Sequence, residues 1–306
     1  MKPAIVVLVN GASGVGSDPD LADRLHQLFS QAGVDAKIHL AHGGEIEHRI
    51  EQAVAGRPDV IVAGGGDGTV SAVAAALAGS EIALGVLPLG TLNHFAKDLG
   101  IPLELEDAVA QIAAGPRMRI DVGEVNGRVF INNSSLGLYP DIVRDREQQQ
   151  KRLGRGKWWA LVWATLGALR RYPFLSVRLS IDGVECLRKT PFVFIGNNEY
   201  VMEGFAIGER AGLTDGCLSL YVAQKPGRLR LLLLALRALV GRLKQARDFD
   251  VMHAAEIVVE SRHHRLRVAT DGEVTVMTPP LHYRIRAGNL IVIGSNPTPA
   301  ERAPSS

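Results

Sequence analysis

The sequence predicts an α/β N-terminal domain with a parallel, Rossmann-like sheet, followed by an all-β antiparallel sandwich. Three observations predict this. Apolar runs of strand length alternate with helical patterns over residues 1–120, the order of a parallel sheet covered on both faces. A glycine-rich loop directly follows the apolar run Val60–Val62 and opens an alanine-rich helical stretch. Beyond about residue 120 the segments become short, alternate in polarity and are punctuated by Asp-Gly pairs.

In order, Ala4–Val9 reads as a strand, Pro19–Ala32 as a helix, Ala36–Leu40 as a strand and Glu45–Ala55 as a helix. Val60–Val62 is a strand, Val70–Leu77 a helix, Ala83–Leu87 a strand, and Thr91–Leu99 and Glu106–Ala114 are helices. The second half offers strands at Arg119–Val125, Arg128–Asn133, Ser176–Asp182, Phe192–Asn197, Cys217–Val222, Glu256–Glu260, Leu266–Thr270, Val274–Met277 and His282–Ile285. Asp182-Gly183, Asp215-Gly216 and Ala287-Gly288-Asn289 read as turns between them, and helical stretches at Gly156–Arg171 and Arg228–Asp250 interrupt the pattern. Domains of 1–120 and 121–289 follow. Leu290–Ile293 is free to pair in the sandwich or to return, with residues 290–300, to the first domain; residues 296–306 form a Pro-rich tail expected to lack order.

Bulk properties narrow the classes of function. A chain of 306 residues with 46% apolar and 22% charged residues has the composition of a globular protein. A net charge of +2 gives no basic footprint for nucleic acid. Cys186 and Cys217 have no metal-binding spacing and no disulfide framework, so a reducing, cytoplasmic setting is expected. The apolar run at the N-terminus is too short for a secretion signal, and no uninterrupted apolar run reaches a membrane-spanning length.

The chemistry concentrates in loops after strands, where ligands of parallel sheets bind. In Gly64-Gly65-Gly66-Asp67-Gly68-Thr69 the backbone can approach a ligand closely. Its N–H groups, backed by the positive end of the helix over Val70, Ser71 and Ala72, suit phosphate. Asp67 is superfluous for anion binding, so it either holds Mg²⁺ shared with the phosphates or fixes the loop through backbone hydrogen bonds. A ligand-free βα turn is the competing reading. Asn10-Gly11-Ala12-Ser13-Gly14 lacks both the dinucleotide and the P-loop spacing, leaving amides, Ser13 and metal to hold phosphate. In Pro88-Leu89-Gly90-Thr91-Leu92-Asn93, Thr91 fits a helix N-cap and Asn93 can turn its amide to the ligand crevice. His94 has a surface or packing role, or approaches phosphate. Asp271-Gly272-Glu273 places two carboxylates at i and i+2, on one side if the segment is extended; a solvated hairpin turn is the alternative. Thr214-Asp215-Gly216 and Asp121 carry the same ambiguity.

Together these fragments resemble the diacylglycerol kinase catalytic-domain family, in particular its bacterial lipid kinases. Asn10–Gly14, Gly65–Thr69, Pro88–Asn93, Leu213–Gly216 and Asp271–Glu273 recur in family order, and Gly-Thr-x-Asn with the late Asp-Gly-Glu separates the match from NAD kinases. The resemblance implies an active site between a nucleotide-binding domain and a β-sandwich. It implies ATP on Asn10–Gly14, Gly66–Ala72 and Thr91, with a further contact near Ala41 or His42. It implies Glu273, with Asp271 beside it, as the base that takes the lipid hydroxyl proton, and a second Mg²⁺ on Asp215 with carbonyls near Gly212 and Cys217. Many relatives carry Asp where this chain has His94, so a carboxylate network of Asp67, Asp121 and Asp215 is one member short.

The expectation is an ATP-dependent kinase acting on a lipid alcohol such as diacylglycerol, phosphatidylglycerol or a long-chain base. An NAD kinase, or a non-catalytic lipid- or nucleotide-binding regulator of the same fold, is the alternative. Arg230, Arg237 and Lys244 recur every seven residues along a Leu-rich helix, and Trp158, Trp159 and Trp163 lie beside Lys151, Arg152, Arg155 and Lys157. Either group serves a peripheral membrane surface or ordinary packing. A homodimer is compatible with the sequence.

Overall fold

The computed structural model describes residues 3–11, 18, 20–41, 44–137, 175–201, 209–210, 212–223 and 249–294. The chain divides into two compact units, Met1–Val122 with Gly212–Thr214 and Arg286–Ser306, and Gly123–Ala211 with Asp215–Ile285.

The first unit runs β1 (Ile5–Asn10), α1 (Leu21–Gln31), β2 (Ala36–Ala41), α2 (Glu45–Ala55), β3 (Val60–Gly64), α3 (Asp67–Leu77), β4 (Ala83–Leu87), α4 (His94–Asp98) and α5 (Leu105–Ala114). The strands lie in the order β2-β1-β3-β4 and every pairing is parallel. Strands β3 and β4 are buried along their whole length, which is why they read as unbroken apolar runs. Helices α3 and α5 pack on them; on α5 the buried stripe is Leu105, Ala108, Val109 and Ile112. Parallel strands put the ends of β1, β3 and β4 on one edge, so the loops that leave them emerge together.

Strand β5 (Arg117–Val125) contributes residues to both units. The second unit continues with β6 (Arg128–Phe130), β7 (Asn133–Gly137), β8 (Leu175–Ile181), β9 (Val184–Thr190), β10 (Phe192–Asn197), β11 (Tyr200–Val201), β12 (Glu209–Arg210), β13 (Leu218–Ala223), β14 (Phe249–Ala254), β15 (Glu256–Ser261), β16 (Leu266–Thr270), β17 (Glu273–Met277) and β18 (Leu281–Ile293). One antiparallel sheet has the order β14-β13-β10-β7-β16-β17; a second pairs β18, β15, β8 and β9, also antiparallel. Leu136, Ile195, Leu220 and Val268 from the first sheet share one buried cluster with Val177, Leu179, Ile257, Val259 and Tyr283 from the second. This is a sandwich core, filled by alternate residues of each strand. The α/β and antiparallel-β classes read from the sequence are both present.

The hairpins β5–β6, β8–β9 and β16–β17 close on Asn126-Gly127, Asp182-Gly183 and Asp271-Gly272, with positive φ at both residues of each pair. Positive φ at both central residues is the two-residue turn that matches strand twist. Each leading side chain also ties down a neighbouring segment. Asn126 accepts from His282 N and donates to Pro280 O, and Asp182 accepts from Ala255 N and Glu256 N.

Several expectations are corrected. Helix α3 starts at Asp67, three residues before Val70, and α4 occupies only His94–Asp98. Ala287-Gly288-Asn289 makes no hairpin; it lies inside the continuous strand β18. Gly288 keeps a positive φ of 58°, but its N–H is held by the Asp121 carboxylate at 2.8 Å and Asn289 O accepts from Gly79 N at 2.7 Å. These anchors carry the strand through, and Val292 pairs in parallel with Leu84 of β4. Phe249–Ala254, partly assigned to a helix, is a strand, and β9, β11 and β12 were not foreseen. The helical stretch at Gly156–Arg171, most of that at Arg228–Asp250, and residues 296–306 lie outside the described residues.

Candidate functional site

In the first unit the loops after β3 and β4 meet beside the end of β1 at the edge of the parallel sheet. Asn10, the last residue of β1, donates its side-chain amide to Thr69 Oγ1 of α3 at 3.1 Å. A Cβ on Gly65 would sit 2.8 Å from Thr69 Oγ1, and a Cβ on Gly90 would sit 2.7 Å from Gly66 Cα. Only glycine allows these approaches, so Gly65 and Gly90 let the loops after β3 and β4 lie against one another, and Asn10 ties the end of β1 to them.

Gly66 and Gly68 differ: a Cβ at either would meet open space. Gly66 precedes α3, and among the described residues no side chain caps that helix end. The amides of Asp67 and Gly68 lack intrahelical acceptors, beside a surface that no side chain of the described residues fills. Asp67 is partly exposed, and among the described residues its carboxylate makes no hydrogen bond. Of its two expected roles, bracing the loop through backbone bonds is not observed among the described residues. Thr69 and Val70 are buried, Ala72 is half-buried, and the Ser71 hydroxyl is buried without a partner among the described residues. Gly11 N donates to the carbonyl of Ala41, which ends β2 and is itself buried. Ala12, Ser13, Gly14 and His42 lie outside the described residues.

The expectations for the loop after β4 need correction. Thr91 does not cap α4; it is exposed two residues before Asn93, which holds the cap position at φ 52°. The Asn93 amide accepts from Gly90 N and donates to Pro88 O and Gly90 O at 2.9–3.1 Å. Its groups are spent knotting their own loop, a local bonding pattern that competes with helix formation. Asn93→Ala should cost about 2–4 kcal/mol, from the left-handed backbone and the lost bonds. Thermal unfolding with and without nucleotide measures it. His94 is exposed.

Asp121 is buried; its N–H donates to Leu213 O, next to buried Gly212. In the second unit Asp215 is exposed, and the Cys217 carbonyl already accepts from Asn198 N at 3.0 Å. Asp271 is in a turn and not extended, so the expected projection of two carboxylates from an extended segment is corrected by positive φ at Asp271 and Gly272. The Asp271 carboxylate takes the N–H groups of Ile131, Asn132 and Asn133 at 2.9, 2.8 and 3.1 Å. Glu273, the first residue of β17, is exposed and accepts from Arg128 at 2.6 Å. One carboxylate organises backbone; the other faces solvent with a guanidinium beside it.

Mg²⁺ is held by hard oxygen donors, commonly one or two carboxylates together with substrate phosphates. Asp67, beside open helix amides, fits that chemistry, and exposed Asp215 offers a second carboxylate. Among the described residues no cluster of three His, Cys, Asp or Glu forms an all-protein cage.

A profile described as "Diacylglycerol kinase catalytic domain" matches residues 4–125, and one described as "YegS C-terminal NAD kinase beta sandwich-like domain" matches residues 141–294. The chain belongs to the diacylglycerol kinase family of lipid kinases. It is a kinase, a phosphotransferase with an alcohol as acceptor. It is 31% identical over 231 residues to a "Probable lipid kinase YegS-like" of Pectobacterium atrosepticum, covering 72% of this chain and 74% of that one. Identity to a diacylglycerol kinase of Bacillus subtilis is 29% over 260 residues, covering 83% and 84%. The fold matches a diacylglycerol kinase crystal structure from Bacillus anthracis with TM-score 0.68, at 22% identity and over 97% and 98% of the two chains. Yeast NADH kinase shares the fold more distantly, with TM-score 0.52 and 10% identity. Among the described residues no helix is long and apolar enough to cross a membrane. The Trp158 cluster and the Arg230, Arg237 and Lys244 stripe lie outside the described residues.

Sequence reasoning missed Arg128, Asn132 and Arg210. Asn132 and Arg210 stand 78 positions apart and meet only in the folded chain.

Proposed function

We propose that this family member transfers the γ-phosphate of ATP to a hydroxyl of a membrane lipid, of diacylglycerol, phosphatidylglycerol or long-chain-base type. The observation that carries the reading is the start of α3, which among the described residues has no side-chain cap, is open above Gly66 and Gly68, and has beside it the Asp67 carboxylate without a hydrogen bond. A triphosphate suits that surface, because helix-end amides and close glycine backbone both favour phosphate oxygens. Mg²⁺ there would neutralise phosphate charge; Asp67 would hold it, and Asp215 a second ion. Asn10 and Thr69 keep the loops in register, and Thr91 offers an exposed hydroxyl.

Phosphoryl transfer asks a protein mainly to position groups and balance charge. The lipid oxygen attacks the γ-phosphorus, the bond to the β-phosphate oxygen breaks, and ADP leaves. Glu273 takes the hydroxyl proton: it is exposed, whereas Asp271 is occupied by three amides. Asp271 instead shapes the turn that presents Glu273. A lipid alcohol brings the enzyme to a membrane surface, the partner this reading requires.

Transfer of labelled γ-phosphate onto a panel of lipid alcohols, with Mg²⁺ or with chelator, tests the reading. Expected is Mg²⁺-dependent label in one lipid class. Label in NAD, or in none of these acceptors, would refute it.

A further inference from the structure

The segment Ile131-Asn132-Asn133 is held from several sides within the second unit. Asp271 takes its three N–H groups. Asn197 Nδ2 and Arg210 Nη1 both donate to the Ile131 carbonyl, at 2.9 and 2.6 Å, and Asn197 N donates to the Asn132 carbonyl. Arg210 is 3% exposed and stands 5.9 Å over the Tyr200 ring. Its Nη2 reaches Asn132 Oδ1 at 3.2 Å.

A guanidinium only donates, so the Asn132 atom facing it must be the oxygen. That removes the usual ambiguity of an amide's orientation. The opposite branch of the Asn132 side chain is then an NH₂ group with two donors. Among the described residues it has no partner, and the side chain is only half-buried. Burying a charge is costly, and here the buried guanidinium fixes a loop and one amide whose donors stay accessible. The Asn132 main chain is bonded to Asp271, so these donors belong to the segment that carries the Asp-Gly-Glu turn.

From this geometry we infer that Asn132 is a substrate-binding residue that donates hydrogen bonds to an oxygen of the acceptor lipid, with Arg210 as its positioning residue. The inference rests on the kinase reading above and adds the group that recognises the acceptor. An oxygen of the transferring phosphate offers the same acceptor chemistry, and the kinetics separate the two.

Asn132→Asp is the decisive variant. It keeps an oxygen for Arg210, so the fold and the thermal midpoint should hold, but it replaces the donors with an acceptor. Loss of a hydrogen bond at such a site predicts a fall of about tenfold to hundredfold in kcat/KM for the lipid, with KM for ATP unchanged. Wild-type kcat/KM for lipid, or a loss confined to KM for ATP, would overturn the inference. A second measurement needs neither turnover nor a folded variant. Titration of wild-type protein, labelled with ¹⁵N-asparagine, with dioctanoylglycerol micelles should shift the Asn132 side-chain NH₂ resonances; unshifted resonances at saturating micelles would overturn it. Failure of wild-type protein to phosphorylate any lipid would count against the kinase reading alone, and the titration would still decide Asn132.

Discussion

Glu273→Gln is expected to reduce phosphate transfer to lipid by about 10²–10⁴-fold, the range general-base catalysis supplies, while equilibrium binding of ATP stays at its wild-type value. The amide keeps the size of the carboxylate and cannot take a proton. Stability should hardly change. Glu273 and Arg128 are 63% and 36% exposed, and pairs so open to water contribute roughly 0–1 kcal/mol. A drop in turnover would thus report chemistry and not unfolding. Turnover within threefold of wild type would remove Glu273 from the proton path.

Gly90→Ala should strike the other substrate. Its added methyl would lie 2.7 Å from Gly66 Cα and 2.9 Å from Asn93 Oδ1. One neighbour is backbone and the other is pinned by its own hydrogen bonds, so neither can yield without moving the loop before α3. Overpacking of this kind costs about 1–3 kcal/mol. Because the displaced atoms are those proposed to face the phosphates, ATP affinity should fall about 5- to 150-fold. Calorimetric titration with ATP measures it. Unchanged affinity would show that the loops after β3 and β4 do not act as one nucleotide surface.

Much of this was legible in the sequence, for a physical reason. Strands buried on both faces leave continuous apolar runs, as in β3 and β4, and Asp-Gly pairs mark twist-matched turns. The misses occur where contacts distant in sequence decide. Helix propensity places the start of α3 after Asp-Gly-Thr, yet the helix begins at Asp67, where Asn10 and Gly90 hold the neighbouring backbone. Capping rules favour Thr91, but the Asn93 amide competes for the same loop and wins. Gly288 looks locally like a turn, and the Asp121 carboxylate and Gly79 keep it in a strand. Asn132 has no motif around it; only the tertiary fold brings Arg210, 78 positions away, to its side.

The three positive-φ turns have a further bearing on how the protein ages. Asn-Gly and Asp-Gly are the dipeptides most prone to deamidation and isoaspartate formation, which begins when the side-chain carbonyl carbon meets the following glycine nitrogen. Asn126, Asp182 and Asp271 each have that side chain committed to other backbone groups. The hydrogen bonds that set the hairpins also hold those carbons away from attack, so such chemical damage should accumulate in unfolded chains long before it reaches the native enzyme.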